Sequence, residues 1–515
     1  MKQKARLVWT ALLVAVILGG QWWWQRARKP DEVATAARIE QMGRLAFRPC
    51  TLPQPGTGLV TSAWCAPFQV PENWAKPEGR KIALRVAMIR SRAAKPAPDP
   101  VLYLAGGPGQ SAIATWPALE PALAGVLLHR NVILMDQRGT GGSTPLNCPA
   151  SPRVGDRRTR PAPGPRPRAR LRALVARTRA CLGALRRRGL DPADFTTTQA
   201  VSDLAALRQS LGDPRLDLVA VSYGTRLAQQ FAMRDPGAVR SMVLDSVVPN
   251  PVILGQRFGT DLDRALHADF ALCTQSPACN RAFGNPWTTL IRLKRKLALD
   301  PPDVHFRTAD GFRPLVETLT AARLVALVRL DAYSPLTAAL LPLALHAADE
   351  GHYAPLMAES RWISRATEGT INVAMQLSVV CSEDVPWLHT TPAESASLLG
   401  DRMIDDLRAM CSVWPKGAVP ANFHAPLVSR VPTLVLEGAL DPVTPPRYGA
   451  EVVQGLRDGR LLVLPGQAHN VIGAGCMPQL VARFIQHPDP FRIHAGCLAK
   501  LKPVAPFLNY NGGVP

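Results

Sequence analysis

Ser222, Asp441 and His469 stand in local contexts that suit a nucleophile, an acid and a base. The stretch Leu218-Val-Ala-Val-Ser222-Tyr-Gly-Thr-Arg reads as strand, tight turn and helix. Such a turn lifts a serine Oγ above the edge of a sheet, provided small residues two before and two after let the helix approach the strand. The usual pattern is Gly-x-Ser-x-Gly; here it is Ala220-x-Ser222-x-Gly224. A serine needs a base to be a useful nucleophile near neutral pH. Asp441 follows Val431-Pro-Thr-Leu-Val-Leu-Glu, and His469 follows Arg460-Leu-Leu-Val-Leu, so both sit just past predicted strands. A turn aspartate or a loop histidine is unremarkable alone. Together, in the order serine, acid, histidine and at strand carboxyl ends, they predict that His469 takes the Ser222 proton while Asp441 fixes the imidazole tautomer.

Acyl chemistry also needs donors for a developing oxyanion. The N–H of Tyr223 is one candidate. The second is expected from Gly106-Gly107-Pro108-Gly109, with Gly107 and Gly109 both open. That turn has a rival reading, because Gly107-x-Gly109-x-x-Ala112 with Asp136 ending the next strand matches a dinucleotide fingerprint. Pro108 argues against it, since it removes a backbone N–H where a phosphate needs donors. No cofactor and no metal are expected, and no Cys-x-x-Cys appears.

These residues require a scaffold of alternating strands and helices. Ile82-Ala-Leu-Arg-Val-Ala-Met-Ile alternates in polarity, whereas Val101-Leu-Tyr-Leu, Asn131-Val-Ile-Leu-Met, Asp217-Leu-Val-Ala-Val and Ser241-Met-Val-Leu-Asp are near-continuous apolar runs. Such runs suit parallel strands buried on both faces. Helices are predicted over Gln199–Leu211 and Thr225–Arg234, between those strands. The alternation predicts an α/β fold with a doubly wound, mostly parallel sheet. Residues 50–250 form its first part and residues 426–515 its second part and tail. Residues 251–425 are helix-rich, with Leu- and Ala-dense stretches near 314–349 and 392–410, and read as an inserted helical cap domain.

Residues 1–29 read as a signal peptide or membrane anchor. Lys2, Lys4 and Arg6 precede an apolar run, Trp22, Trp23 and Trp24 follow it, and Arg26, Arg28 and Lys29 close it. Residues 7–24 are just long enough to span a bilayer. An Ala-x-Ala site at Ala34–Ala36 lies far from the run. Residues 30–49 are expected to be a polar, helical stalk. The chain beyond is expected to be exported, periplasmic or in the cell envelope, with possible inner-membrane attachment. Its ten cysteines (Cys50, Cys65, Cys148, Cys181, Cys273, Cys279, Cys381, Cys411, Cys476 and Cys497) are an even count, which in an exported chain argues for disulfides. Nearest-neighbour pairing is the simplest connectivity, though the sequence leaves it open.

The formal net charge is +21. Much of it lies in an Arg/Pro-rich insertion over 152–190, where Asp156 is the one acid before Leu190. Its second half, from Leu171, has rough helical spacing. The insertion is either a solvated face or a contact for an acidic partner. No aromatic interleaves these arginines, so bases would find no stacking platform and no nucleic acid is expected.

Gly-Gly-Pro-Gly, Asp136-Gln-Arg-Gly-Thr-Gly-Gly-Ser143, Ser222-Tyr-Gly-Thr and Asp441-Pro-Val-Thr-Pro together resemble the proline iminopeptidase and tripeptidyl aminopeptidase family of α/β-hydrolases. The chain resembles most the secreted tripeptidyl aminopeptidase-like branch, from about Cys50 to Cys497. The resemblance implies a triad of Ser222, Asp441 and His469, a cap over the site, and release of short pieces from peptides with a free N-terminus. An ammonium-binding carboxylate in the cap would then be Glu383, with Asp384 beside it. Asp136 and Arg138 are expected to brace the site loops through an ion pair. Two alternatives stand beside this reading: a carboxylesterase on the same scaffold, and a non-enzymatic envelope protein that binds an acidic partner.

Overall fold

In a computed structural model of the protein, residues 39–53, 60–149, 167–308, 311–367 and 369–513 are described. The expected signal or anchor over 1–29, residues 30–38, and most of the proline-rich half of the arginine insertion lie outside them.

Twelve strands matter here: β1 (Glu40–Met42), β2 (Leu45–Pro53), β3 (Val60–Pro71), β4 (Lys81–Ile89), β5 (Val101–Leu104), β6 (Val132–Met135), β7 (Leu216–Val221), β8 (Val239–Asp245), β9 (Asp303–Arg307), β10 (Pro314–Thr318), β11 (Thr433–Gly438) and β12 (Gly459–Leu464). All but β9 and β10 join one ten-stranded sheet in the order β1-β2-β3-β4-β6-β5-β7-β8-β11-β12. The pairs from β1 to β4, and β4 with β6, are antiparallel. From β6 to β12 every pair is parallel.

Every residue of β5, β6, β7 and β11 is buried, which is why these strands read as near-continuous apolar runs. Their side chains alternate between two cores. Leu102, Ile133 and Leu218 pack with the Thr197–Ser210 and Tyr223–Arg234 helices, while Val101, Leu134 and Val219 pack with the Ala112–Leu123 and Met477–Gln486 helices. A doubly wound sheet requires this two-sided arrangement.

Three expectations need correction. The helical stalk does not reach residue 49, because β1 and the start of β2 occupy that stretch. Leu45 and Phe47 are buried while Ala46 and Arg48 are exposed, a period of two that suits a strand. Residues 314–318, read within a helix-rich stretch, are the strand β10, paired with β9, in which Val304 and Phe306 are buried between exposed neighbours. Finally, the inserted segment does not share one core. Leu262 to Ile363, with Leu398, form a separate apolar cluster, whereas Ala374, Met375, Val379, Val380 and Cys411 join the main core.

The second half of the arginine insertion is the predicted helix, Pro167–Arg187. It is tied to the cap by an Arg170–Asp406 ion pair. All ten cysteines are paired, Cys50–Cys65, Cys148–Cys181, Cys273–Cys279, Cys381–Cys411 and Cys476–Cys497, which is the nearest-neighbour connectivity. Among the described residues no helix is long and apolar enough to cross a membrane, and residues 7–24 are not among them.

Candidate active site

Ser222 occupies the turn between β7 and the Tyr223–Arg234 helix, with φ 54° and ψ −126°. A non-glycine residue at positive φ is strained and persists where its surroundings over-determine it. Here the Ser222 N–H donates to the Asp245 carbonyl at 2.9 Å, and Thr225 N returns to the Ser222 carbonyl at 2.9 Å. Gly224 explains the small residue two positions on: a Cβ there would meet the Leu104 carbonyl oxygen at 2.3 Å. Ala220 is fully buried within β7, so one methyl is tolerated on the strand side of the turn. Ser222 Oγ makes no hydrogen bond to a described residue and is half-buried.

Asp441 lies just beyond β11 and His469 just beyond β12. His469 Nδ1 donates to Asp441 Oδ2 at 2.7 Å. The other carboxylate oxygen, Oδ1, accepts the amides of Val443 and Thr444 at 2.8 and 2.7 Å. Thr444 Oγ1 donates to Oδ2 at 2.8 Å and lies 3.2 Å from His469 Nδ1. Burial pushes the Asp441 carboxyl upward, but the charge and hydrogen bond of His469 and the two amides together hold it below the ordinary range. Burial lowers His469, and Asp441 more than reverses this, so the imidazole sits above its ordinary 6.5. The acid and histidine loops touch directly: a Cβ on Gly438 would meet the Ala468 carbonyl oxygen at 1.8 Å.

Asp245, at the end of β8, was not singled out from sequence. It is fully buried, and its carboxylate accepts the amides of Val471 and Ile472, each at 2.9 Å. Ser246 Oγ accepts Asn470 N at 2.8 Å. The nucleophile turn and the histidine loop are therefore anchored to one residue pair. Burial raises Asp245 to about 6 against the two amides. Nearby Glu437 is also fully buried. Burial and then the Asp441 charge push it well above its ordinary value, and it accepts Val247 N at 3.1 Å.

Glu383 and Asp384 are not open to a ligand. Both are fully buried and engaged inside the fold. Glu383 accepts the Thr197 amide and hydroxyl, each at 2.6 Å, and Thr197 Oγ1 lies 2.5 Å from the Tyr223 hydroxyl. Burial raises the Glu383 carboxyl to about 8. Asp384 accepts Arg226 Nη1 at 2.9 Å and Leu254 N at 2.8 Å. Arg226 and Tyr223 belong to the helix behind Ser222, so these two acids bolt the cap to the nucleophile helix. A bare sequence cannot distinguish that role from an ammonium site.

The amides of Tyr223, Gly107 and Gly109 donate to no acceptor among the described residues. Gly107 and Gly109 have φ of 112° and 105°, which a side chain would resist. A cap segment crosses this turn: Asn372 N donates to the Gly109 carbonyl at 2.9 Å. The cap touches the other loops too. His469 N donates to the Tyr333 carbonyl at 3.2 Å, and the Tyr333 ring stands edge-on to His469 at 5.0 Å. Arg264 Nη2 donates to the Asp441 carbonyl at 2.6 Å.

The expected Asp136–Arg138 ion pair does not form. Asp136 accepts Ser111 Oγ at 2.5 Å, Ile113 N at 3.0 Å and Gly142 N at 2.9 Å, bracing the helix after the glycine turn. With those bonds and burial it has no free face for a ribose, which removes support from the dinucleotide reading. Arg138 instead forks onto Asp203 at 2.7 and 2.5 Å, both side chains fully buried.

Two family models match the chain: alpha/beta hydrolase fold over residues 99–265, which includes the glycine turn and Ser222, and TAP-like protein over residues 396–497, which includes Asp441 and His469. The chain is 25% identical over 522 residues to the serine protease Hip1 of Mycobacterium tuberculosis, covering 93% of this chain and 95% of that protein. It is 30% identical over 239 residues to the tripeptidyl aminopeptidase of Streptomyces coelicolor, covering 44% of this chain and 42% of that one. It is 26% identical over 458 residues to a carboxylesterase B of Mycobacterium tuberculosis, covering 83% and 85%. The chain has the α/β-hydrolase fold, and its C-terminal part is similar to the TAP-like family.

Proposed function

We propose that the chain is an exported serine peptidase that removes residues from the free N-termini of peptides. The observation that carries the reading is the buried His469–Asp441 pair at 2.7 Å, anchored through Asp245 to the same strand end as Ser222. Ser222 Oγ attacks the peptide carbonyl carbon while His469 Nε2 takes its proton. Asp441 stabilises the imidazolium. The oxyanion forms against the Tyr223 amide and that of Gly107 or Gly109, whose donors are uncommitted. On collapse the C–N bond breaks, His469 protonates the departing amine, and an ester on Ser222 remains. Water, deprotonated by His469, then releases the acid and restores the serine.

The cap supports short substrates, since Asn372, Tyr333 and Arg264 close over the glycine turn, the base and the acid. The names of two relatives, a serine protease and a tripeptidyl aminopeptidase, support peptide bonds as the target. With Glu383 and Asp384 engaged internally, the substrate ammonium must be met by other groups. Export is supported by ten cysteines in five disulfides. Attachment of residues 7–24 to a membrane is part of the same reading.

The carboxylesterase relative keeps ester hydrolysis as a second reading. Matched peptides with free and acetylated N-termini separate the two. Strong preference for the free amine is expected. Equal turnover of both, with faster cleavage of simple esters, would replace the peptidase by an esterase.

A further inference from the structure

The end of the sheet opposite Ser222 carries a concavity. The parallel strands β7, β8, β11 and β12 begin there, roughly 20 Å from their carboxyl ends at about 3.3 Å per residue. A groove of about 550 Å³ lies among these strand starts, with Arg215, Arg430 and Arg457 on its walls and Val428, Val431 and Pro432 among its apolar lining. Among the described residues no carboxylate lines it. The three arginines are exposed, and among the described residues none of them is in an ion pair. The acids next to this region, Asp213 and Asp235, are both engaged by Arg208. Asp458 follows Arg457 in sequence but is not part of the lining. Arg215 Nη2 donates to the Val239 carbonyl at 3.1 Å, which holds its planar head at the groove edge. Val428 is 81% exposed, an unusual position for an aliphatic side chain between arginines.

The chain enters the fold at this same end. Arg44 N, in the turn after β1, donates to the Ser210 carbonyl at 2.7 Å. A Cβ on Gly43 would meet Gly212 N at 2.4 Å. That turn therefore rests on the short loop leading into Arg215. Upstream of β1 lies the apolar run 7–24, with Lys2, Lys4 and Arg6 before it and Arg26, Arg28 and Lys29 after it.

We propose that the Arg215–Arg430–Arg457 groove docks anionic phospholipid headgroups of the membrane to which residues 7–24 attach. A guanidinium presents paired N–H donors that match phosphate oxygens, and the valine and proline lining accommodates the glycerol and the first acyl carbons. The bilayer's negative surface potential supplies the attraction over about a Debye length. The chain would then stand with its non-catalytic end on the membrane and its cap and Ser222 facing away. This rests on the membrane attachment read above, and it is independent of which bond Ser222 cleaves.

The test uses the full chain bound to vesicles of phosphatidylcholine alone or with phosphatidylglycerol. Arginine modification by phenylglyoxal is followed residue by residue by mass spectrometry. Arg215, Arg430 and Arg457 are expected to react several-fold more slowly on the phosphatidylglycerol vesicles, with Arg313 and Arg492 unchanged. Equal rates on the two vesicle types overturn the proposal. Equal protection by millimolar inorganic phosphate on phosphatidylcholine vesicles also overturns it, and assigns the groove to a soluble anion instead. The R215Q/R430Q/R457Q variant is expected to keep fluorophosphonate labelling of Ser222 and binding to neutral vesicles. Its preference for phosphatidylglycerol should fall several-fold; an unchanged preference overturns the proposal. If the variant does not label, its fold is lost and the wild-type modification rates decide.

Discussion

Around Ser222 and His469 the α/β core is built from buried polar groups with named partners: Asp245 on two amides, Asp441 on two amides and an imidazole, Glu437 on the Val247 amide. The cap is built the other way. Leu262 to Ile363, with Leu398, pack as an apolar cluster of their own, and polar contacts to the core lie along a seam that includes Asp261–Arg447, Arg264–Asp441 and Tyr333–His469. Apolar packing tolerates sliding better than a hydrogen-bonded carboxylate does, because it has no directional minimum. The difference assigns precision to the core and access to the cap.

The sharpest test of that division is Ser222→Ala. It is expected to abolish fluorophosphonate labelling and to lower turnover on the order of 10⁶-fold, while the melting temperature stays close to that of the parent. Retained labelling would remove Ser222 from the reaction. Asp245→Ala comes next. It frees the histidine loop from the carboxylate and leaves the backbone carbonyl that holds Ser222, and should lower kcat by roughly 10²-fold with KM little changed, since displacements of about 1 Å have that effect. Asp245→Asn keeps one acceptor oxygen and should recover part of the loss. If Ala and Asn behave alike, the side-chain anchor of the histidine loop is unimportant.

The pH profile follows from His469. Its pKa is raised above 6.5 and, as the proposed base, it must be neutral to take a proton, so kcat/KM should fall as pH drops through that raised value. Asp441→Asn should move the acid limb downward as well as lowering the rate. A limb that stays in place would detach His469 from the profile.

Across the seam, smaller effects are expected. Arg447→Ala removes the partner of Asp261 and should admit longer peptides, with rates on short ones changed by less than about tenfold. Unchanged length selection, measured by peptide-library digestion, would separate the cap from access. The smallest effect concerns stability. Glu383 is raised from 4.5 to about 8, so its contribution is fully present below the unfolded value and is lost as pH rises through about 8. Glu383→Gln should therefore flatten the fall in melting temperature between mildly acidic and alkaline pH by a few degrees. A parallel shift at all pH values would contradict the buried-acid assignment.

Much of the core was legible because its strands are buried on both faces and end at the residues that matter. Ser222 and Asp441 each follow such a run, His469 follows the half-exposed edge strand β12, and chain order alone related the three. Partners across the fold were not legible. Arg138 was matched with Asp136, its neighbour two residues away, whereas its partner Asp203 lies on a helix far along the chain. Glu383 carried the right charge for an ammonium, but only the placement of Thr197 against it shows where that charge goes. Asp245 looked like the last residue of a strand, since its work is done on amides, and amides leave no mark in a sequence. The cap was recognised by its helices, yet β9 and β10 were missed: Asp303-Val-His-Phe-Arg alternates, but five residues are too few to stand out beside long Leu- and Ala-rich helices.

One consequence of the arrangement at β8 is mechanical. Ser222 hangs from the Asp245 carbonyl and the histidine loop from the Asp245 carboxylate. A thermal excursion of that strand end carries Ser222 and His469 in the same direction, like two instruments bolted to one plate. Their separation is thus shielded from vibrations that move either of them relative to solvent, and warming should blur the position of the pair before it blurs the gap within it.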